Sequence, residues 1–197
     1  MQDFPMYFEL GWQHILDWQG YDHILFVTAL CGIYTLKEWR SVLILVTAFT
    51  LGHSLTLALS VYDKVRIPSA LIEFLIPVTI VLTCLYNIVR KKPARSGINV
   101  KYLLAALFGL IHGLGFSNYL KSLLGRSTNI VAELFAFNIG LEFGQILIVA
   151  VVLTLSWLAV RIFRAPAREW TVFLSSAIFG IATVMSIERL TLFIHHT

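Results

Sequence analysis

Four histidines of this 197-residue chain lie within or beside long apolar stretches of sequence. They are His14, His23, His53 and His112. An ionisable side chain inside a bilayer costs about 2.5–3.5 kcal/mol on the insertion scale, so such residues are rare and usually functional. Imidazole nitrogen combined with carboxylate oxygen suits divalent transition metals. The histidines therefore predict a buried site for Ni, Co, Zn, Fe or Cu, with the identity of the metal left open.

Acidic and polar side chains accompany these histidines. Asp22 directly precedes His23. Glu142 shares one helical stripe with Asn138 and Gln145, because residues four and three apart lie on the same face. We predict a metal shell made from His14, Asp22, His23, His53, His112 and Glu142. The expected supporting residues are Asp17, Ser54, Glu73, Asn138 and Gln145. Neighbouring residues on a helix point about 100° apart, so Asp22 is expected either to bind the metal or to orient His23.

Two other uses of the histidines fit the same pattern. A single histidine inside a membrane often serves only as a hydrogen-bond partner between helices. Histidines and carboxylates also form proton relays. Three histidines on three separate apolar segments, one of them beside an aspartate, favour a metal site over a purely structural role, and a proton relay stays open as an alternative.

The composition indicates which elements hold these residues. Hydrophobic residues make up 58% of the chain and charged residues 13%, against about 25% charged in a soluble domain. One spanning helix needs roughly 20 apolar residues. We therefore predict an all-α integral membrane protein with a single transmembrane domain over residues 1–197 and about six helices. The predicted helices cover residues 20–36, 41–61, 68–89, 102–116, 130–162 and 170–194, and residues 7–19 form an amphipathic outer or interfacial helix.

Lys and Arg are unevenly distributed between the predicted loops. The first, third and fifth loops carry ten of these residues, while the second and fourth loops carry four. The positive-inside rule places the loops with more basic residues in the cytoplasm. Both termini are therefore predicted to lie outside. Because the basic residues are in short loops rather than along one face, nucleic-acid binding is not expected.

Two short segments suggest an internal repeat. Residues 48–52 read AFTLG and residues 136–140 read AFNIG, and a similar offset relates His23 to His112. Two halves of three helices each must have opposite orientations in the membrane, because three is an odd number. Inverted repeats with a site near the midplane are a common plan of transporters. The segments fit such a 3+3 inverted repeat, and they equally fit a chance similarity.

The sequence around the histidines resembles the HupE/UreJ family over nearly the whole chain. His14, Gly20, Asp22 and His23 match the family signature HxxxxxGxDHxLF. The segments FTLGHSLTL, FGLIHGLGFS and FNIGLEFGQ resemble its second, fourth and fifth helices. The resemblance implies a six-helix protein of the bacterial inner membrane that is linked to nickel or cobalt uptake. Members of the family are often named hydrogenase or urease accessory proteins.

Three functions fit the predicted site. The first is a secondary transporter for a divalent transition metal, since the chain has no GxxxxGK[ST] loop to bind ATP phosphates. The second is an intramembrane, hydrolase-like enzyme in which a fixed metal activates water. The third is a structural or accessory subunit that binds no metal. Transport is favoured and enzymatic activity is left undecided. The expected partners are the lipid bilayer and a metal ion, and assembly into a homo-oligomer is left open.

Overall fold

The computed structural model describes residues 4–90, 98–124 and 129–196, with the side chains of 98–100 and 196 left undescribed. Within this part of the chain the structure has seven α-helices and no strand. The helices are α1 (Phe4–Ile15), α2 (Asp22–Cys31), α3 (Trp39–Val61), α4 (Ser69–Val89), α5 (Ile98–Leu124), α6 (Ile130–Trp157) and α7 (Ala167–His196). A 3₁₀ turn at Leu36–Glu38 leads into α3, and a π-helical turn at Leu158–Ile162 extends α6.

Five of the helices are long and apolar enough to cross a membrane. Large apolar side chains point outward from them, such as Leu51, Val131 and Phe173, which are 66%, 69% and 65% exposed. Outward-facing apolar side chains of this kind are suited to lipid rather than to water. The all-helical architecture confirms the predicted fold class, and the chain is a multi-pass membrane protein.

The first predicted span, residues 20–36, differs from the structure. Only Asp22–Cys31 is helical there, and ten residues reach about 15 Å, half of a hydrocarbon core of about 30 Å. Local polar motifs explain both ends. Before the helix, Asp17 Oδ1 accepts a hydrogen bond from the backbone nitrogen of Gln19 at 2.9 Å, which favours a turn. After it, Thr35 and Glu38 form a capping box that starts the next element.

The preceding segment, predicted as an outer or interfacial helix over residues 7–19, is helical over Phe4–Ile15. This helix is packed into the bundle, since Tyr7, Gly11 and Ile15 are buried and α1 lies along α6. Helices α1 and α2 thus form one interrupted element whose break lies between Ile15 and Asp22.

Two helix pairs approach unusually closely, and in each pair a glycine of one helix lies beside a glycine of the other. In the α1–α6 pair, a methyl group on Gly11 would lie 1.9 Å from the Phe137 carbonyl oxygen, and one on Gly140 would lie 1.9 Å from that of Phe8. Glycine permits this contact because it has no Cβ. We call this contact the first crossing.

The α3–α5 pair repeats the arrangement, and we call it the second crossing. A methyl group on Gly52 would lie 2.0 Å from the Ala106 carbonyl oxygen, and one on Gly109 would lie 2.1 Å from that of Phe49. In both crossings each glycine meets the carbonyl three residues before the partner glycine. Gly52 and Gly140 are the last residues of the similar segments AFTLG and AFNIG, so this geometry supports the predicted repeat.

The helices are tied together at both ends of the bundle. At one end, which we call the Asp63 end, Asp63 pairs with Lys121, and Glu73 pairs with Arg189 at 2.6 Å. At the opposite end, the Arg168 end, Arg168 donates to the Asn87 carbonyl oxygen at 2.7 Å. The predicted cytoplasmic loop between α4 and α5 (residues 90–101) falls largely outside the described residues, so the orientation in the membrane stays a prediction.

Candidate metal centre

The histidines come together because of the helix break and the second crossing. His14 is in the last turn of α1 and His23 in the first turn of α2, so the break folds them against each other with ring centroids 4.6 Å apart. His53 follows Gly52 on α3, and His112 lies three residues after Gly109 on α5. Close approach of α3 and α5 at these glycines brings both imidazoles toward the break.

The four imidazoles form one cluster. Ligand atoms of His14, His23 and His53 all lie within 4.8 Å of one another. The ring of His112 is centred 5.0 Å from that of His23. His53 and His112 are completely buried, and His23 is 4% exposed. Twice a metal–nitrogen bond of about 2.0–2.1 Å is about 4 Å, so small side-chain movements would bring the first three around one ion.

Asp22 orients His23 in this cluster. Its Oδ1 atom accepts hydrogen bonds from both the backbone nitrogen of His23, at 2.7 Å, and the ring Nδ1, at 2.9 Å. A carboxylate can only accept, so Nδ1 carries the proton. The other ring nitrogen, Nε2, then holds a lone pair and has no partner in the structure. Histidines that bind metals commonly donate their other ring N–H to a carboxylate in this way.

Thr79 does the same for His112. The Thr79 hydroxyl is 2.7 Å from the Ile76 carbonyl oxygen and 2.9 Å from His112 Nε2. Its single proton goes to the carbonyl, which can only accept, and the hydroxyl oxygen therefore accepts from Nε2–H. The lone pair of His112 is thereby placed on Nδ1, which is buried and has no partner.

Five buried ring nitrogens of the cluster lack a hydrogen-bond partner: His14 Nε2, His23 Nε2, His53 Nδ1, His53 Nε2 and His112 Nδ1. A buried polar group without a partner costs about 1–3 kcal/mol. Such groups are a few per hundred residues in native proteins and each requires an explanation. Each neutral imidazole keeps a proton on one of its nitrogens, so at most four of these five atoms offer lone pairs at once. Four buried lone pairs in one place are explained by a ligand that accepts them, and a metal cation is such a ligand.

Phenylalanine rings enclose the cluster. Phe116 packs against His14 with centroids 3.9 Å apart, and Phe26 packs against His112 at 4.8 Å. Phe49 contacts both His112 and Phe26. The apolar shell excludes water, which strengthens electrostatic interactions inside it and controls access to a bound ion.

The remaining predicted residues lie outside the cluster. Glu142 is half-buried and accepts a 2.5 Å hydrogen bond from Thr47 rather than from a histidine. Ser54 donates to the Thr50 carbonyl oxygen of its own helix at 2.7 Å. The others are likewise engaged elsewhere: Asp17 with Gln19, Glu73 with Arg189, Asn138 with Leu134 and Gln145 with Thr50.

Thr79 and the phenylalanines that enclose the cluster have no place in the sequence-based prediction of the site. Thr79 was hidden because a lone threonine in an apolar helix commonly bonds its own backbone. Its only signal is its position two residues after Pro77, the proline inside α4. Phe116 was hidden because an aromatic residue in an apolar stretch reads as packing or lipid contact.

Comparison with known proteins agrees with this description. A family model described as HupE / UreJ protein matches residues 1–194. No curated protein and no solved structure matches the chain. The matched range contains the whole histidine cluster and all the described membrane helices except the last two residues of α7. The chain therefore belongs to the HupE/UreJ family, which is associated with nickel or cobalt accessory and transport functions.

Proposed function

We propose that this protein carries a divalent transition metal of the nickel or cobalt type across the bacterial inner membrane, through the four-histidine cluster. The observation that carries the proposal is the group of five unpartnered ring nitrogens inside a multi-helix membrane bundle. Neutral imidazoles are ligands for this class of metal. In this proposal His14, His23, His53 and His112 bind the ion, and Asp22 and Thr79 orient two of them.

The interruption between α1 and α2 supports transport. Substrate and ion sites of many transporters are formed where a membrane helix is discontinuous. Here His14 and His23 lie on the two sides of the break, in the last turn of α1 and the first turn of α2. The loop that joins them contains Trp18, which is 84% exposed. A joint of this kind lets two short helices move separately, which a continuous span does not.

The membrane potential is a sufficient driving force for uptake. One elementary charge gains about 2.3 kcal/mol per 100 mV, so a divalent cation gains about 4.6 kcal/mol on moving inward. The proposed orientation has both termini outside and rests on the uneven distribution of Lys and Arg.

An intramembrane metal-dependent enzyme is the second candidate. The observation that favours it is the three-histidine set of His14, His23 and His53. Three protein ligands with one open position are typical of catalytic zinc. An enzyme would retain one ion tightly through purification, whereas a carrier would release its ion and move it across a bilayer.

Reconstituted vesicles test the proposal. We expect the purified protein to take up Ni²⁺ or Co²⁺ into vesicles held negative inside, and the His23→Phe variant to lose this uptake. His195→Phe is the matched control, because His195 is exposed near the end of α7. Thermal unfolding with Ni²⁺, Co²⁺, Zn²⁺, Fe²⁺ or Cu²⁺ should show stabilisation of the wild type. Absence of both uptake and stabilisation would refute the metal site, while tight binding without uptake would favour the enzyme.

A further inference from the structure

A second polar group lies between α3 and α6, beside the metal centre. Thr47 donates to Glu142 Oε1 at 2.5 Å, and Thr50 donates to Gln145 Oε1 at 2.8 Å. The two threonines are three residues apart on α3, and their partners are three residues apart on α6, so each pair lies on one face of its helix. We call these four residues the α3–α6 ladder.

Glu142 is the charged member of the ladder. It is half-buried on an apolar helix that is long enough to span a membrane. In the described part of the chain no Lys, Arg or His forms a salt bridge with it. A carboxylate in such a place is expensive unless a positive charge neutralises it. Since the described residues supply no such charge there, the carboxylate points to a bound cation.

Gln145 supplies the second indication. Its side chain is completely buried, and its Nε2 atom has no hydrogen-bond partner. The Thr50 hydroxyl is 2.8 Å from Gln145 Oε1 and also 3.2 Å from the Val46 carbonyl oxygen. If its one proton serves Val46, the Gln145 amide can turn over and donate to Thr50. Its carbonyl oxygen then takes the unpartnered position and can bind a cation.

The ligand atoms of the ladder select a different ion from the one that the histidines select. They are a carboxylate, two hydroxyl oxygens and an amide oxygen, which are hard donors that suit alkali and alkaline-earth cations. The histidine cluster offers softer nitrogen donors. One carboxylate balances one positive charge, so charge balance in a low-dielectric site favours a monovalent ion. A proton would need only one acceptor atom, whereas the two hydrogen-bonded pairs together offer several oxygen atoms on facing sides of α3 and α6.

We propose that Thr47, Thr50, Glu142 and Gln145 form a site for a sodium ion. Thr50 and Thr47 precede His53 by three and six residues, which is about 4.5 and 9 Å along α3. The sodium site therefore lies between the metal centre and the Arg168 end of the bundle. Its role as a coupling ion rests on the proposed metal transport, but its existence as a binding site does not.

Thermal unfolding of the purified, metal-free protein at fixed pH and ionic strength tests the site. We expect the Tm of the wild type to rise with the logarithm of NaCl concentration when NaCl replaces choline chloride, because a ligand of the folded state stabilises it. Glu142→Gln and Thr47→Val should each lose this rise. Two matched controls should keep it: Glu188→Gln, at an exposed position on α7, and Thr83→Val, whose hydroxyl bonds its own helix on α4.

A second series separates this inference from the metal proposal. His23→Phe should lose the stabilisation by Ni²⁺ and keep the stabilisation by NaCl, and Glu142→Gln should do the opposite. A wild-type Tm that is the same in NaCl and choline chloride would overturn the sodium site, whatever the response to Ni²⁺. A sodium response that persists in both ladder variants would overturn it too. A wild-type protein that is stabilised by NaCl but not by Ni²⁺ would refute only the metal proposal.

Discussion

The two glycine crossings share a backbone geometry but differ in chemistry. In each crossing the glycines meet carbonyl oxygens at 1.9–2.1 Å from a hypothetical Cβ. The sequence Gly-x-x-His occurs in α1 at Gly11 and His14 and again in α5 at Gly109 and His112. The crossings therefore align His14 with His112, whereas the sequence offset aligned His23 with His112.

The residues that follow the crossing glycine differ between α3 and α6. His53 follows Gly52 on α3, while the buried residue Leu141 follows Gly140 on α6. The next position is Ser54 on α3 and Glu142 on α6. The two crossings thus share a backbone contact but differ in the residues beside the glycines. On α3 the glycine is followed by a histidine of the metal centre, and on α6 it is followed by a leucine and then by the carboxylate of the ladder.

The two halves also differ in length between their glycines. From Gly11 to Gly52 the chain advances 41 residues, and from Gly109 to Gly140 it advances 31. In the first interval α1 ends at Ile15 and the chain continues as α2, whereas α5 runs without a break to Leu124. Helix α2 carries Asp22 and His23, so the interrupted helix of the first half supplies these two residues to the metal centre.

The largest effects on stability are expected when a glycine of either crossing is replaced by alanine. Gly11→Ala, Gly52→Ala, Gly109→Ala and Gly140→Ala each place a methyl group against a backbone carbonyl, and the helices must separate. We expect a loss of stability at or above the upper end of the usual overpacking range, about 1–3 kcal/mol. Thermal unfolding in detergent measures it.

The matched control for these substitutions is Gly180→Ala, since a methyl group there meets nothing within 4 Å. Alanine is the better helix former by about 1 kcal/mol, so this variant should be at least as stable as the wild type. If alanine were tolerated in one crossing and not in the other, the two crossings would not be structurally equivalent.

The next prediction concerns His53, which follows Gly52 in the second crossing. His53→Leu places the residue found after Gly140 at the position after Gly52. Because both ring nitrogens of His53 are buried and unpartnered, removing them should raise the metal-free stability by about 1–3 kcal/mol. The same variant should lose stabilisation by Ni²⁺ or Co²⁺, as measured by thermal unfolding with and without metal. A variant that is less stable without metal and still responds to metal would contradict this assignment.

A smaller effect is expected from the residue that orients His112. Thr79→Val keeps the shape of the side chain and removes the hydroxyl that accepts from His112 Nε2–H. Residues that orient metal ligands usually contribute 10–100-fold in metal affinity, so we expect a loss of about that size. Thr83→Val is the control, and isothermal titration with Ni²⁺ measures both. Equal affinity in the two variants would mean that Thr79 has no influence on the metal centre.

The sequence predicted the helical membrane fold and the histidines that cluster, because both depend on residue type and spacing. It did not predict the break before Asp22, which depends on a side-chain turn at Asp17 that hydrophobicity does not reveal. Glu142 was predicted as a ligand because helical periodicity puts it on an inward stripe. Helical periodicity predicts which face of α6 carries Glu142 but not which residue its side chain contacts. The packing of α6 against α3 brings this carboxylate into a hydrogen bond with Thr47.

The smallest effect is expected from the ion pair between Asp63 and Lys121, which joins the C-terminal ends of α3 and α5. Lys121 on α5 donates to Asp63, just after α3, and this hydrogen bond together with Arg66 lowers the pKa of Asp63 from its ordinary value of 3.8. A carboxyl pKa that is lower in the folded protein than in the unfolded chain stabilises the folded state at pH values above the ordinary pKa of 3.8. This stabilisation is lost as the pH falls through the folded-state pKa. Asp63→Asn should therefore lower the Tm at neutral pH, and the difference from the wild type should vanish in acid.

The backbone of Asp63 has φ 57°, which asparagine also tolerates, so the substitution isolates the charge. Because Asp63 is exposed, the effect should be small and should shrink further in high salt. A Tm difference that is constant with pH would mean that the ion pair contributes nothing and that the substitution acts through the turn.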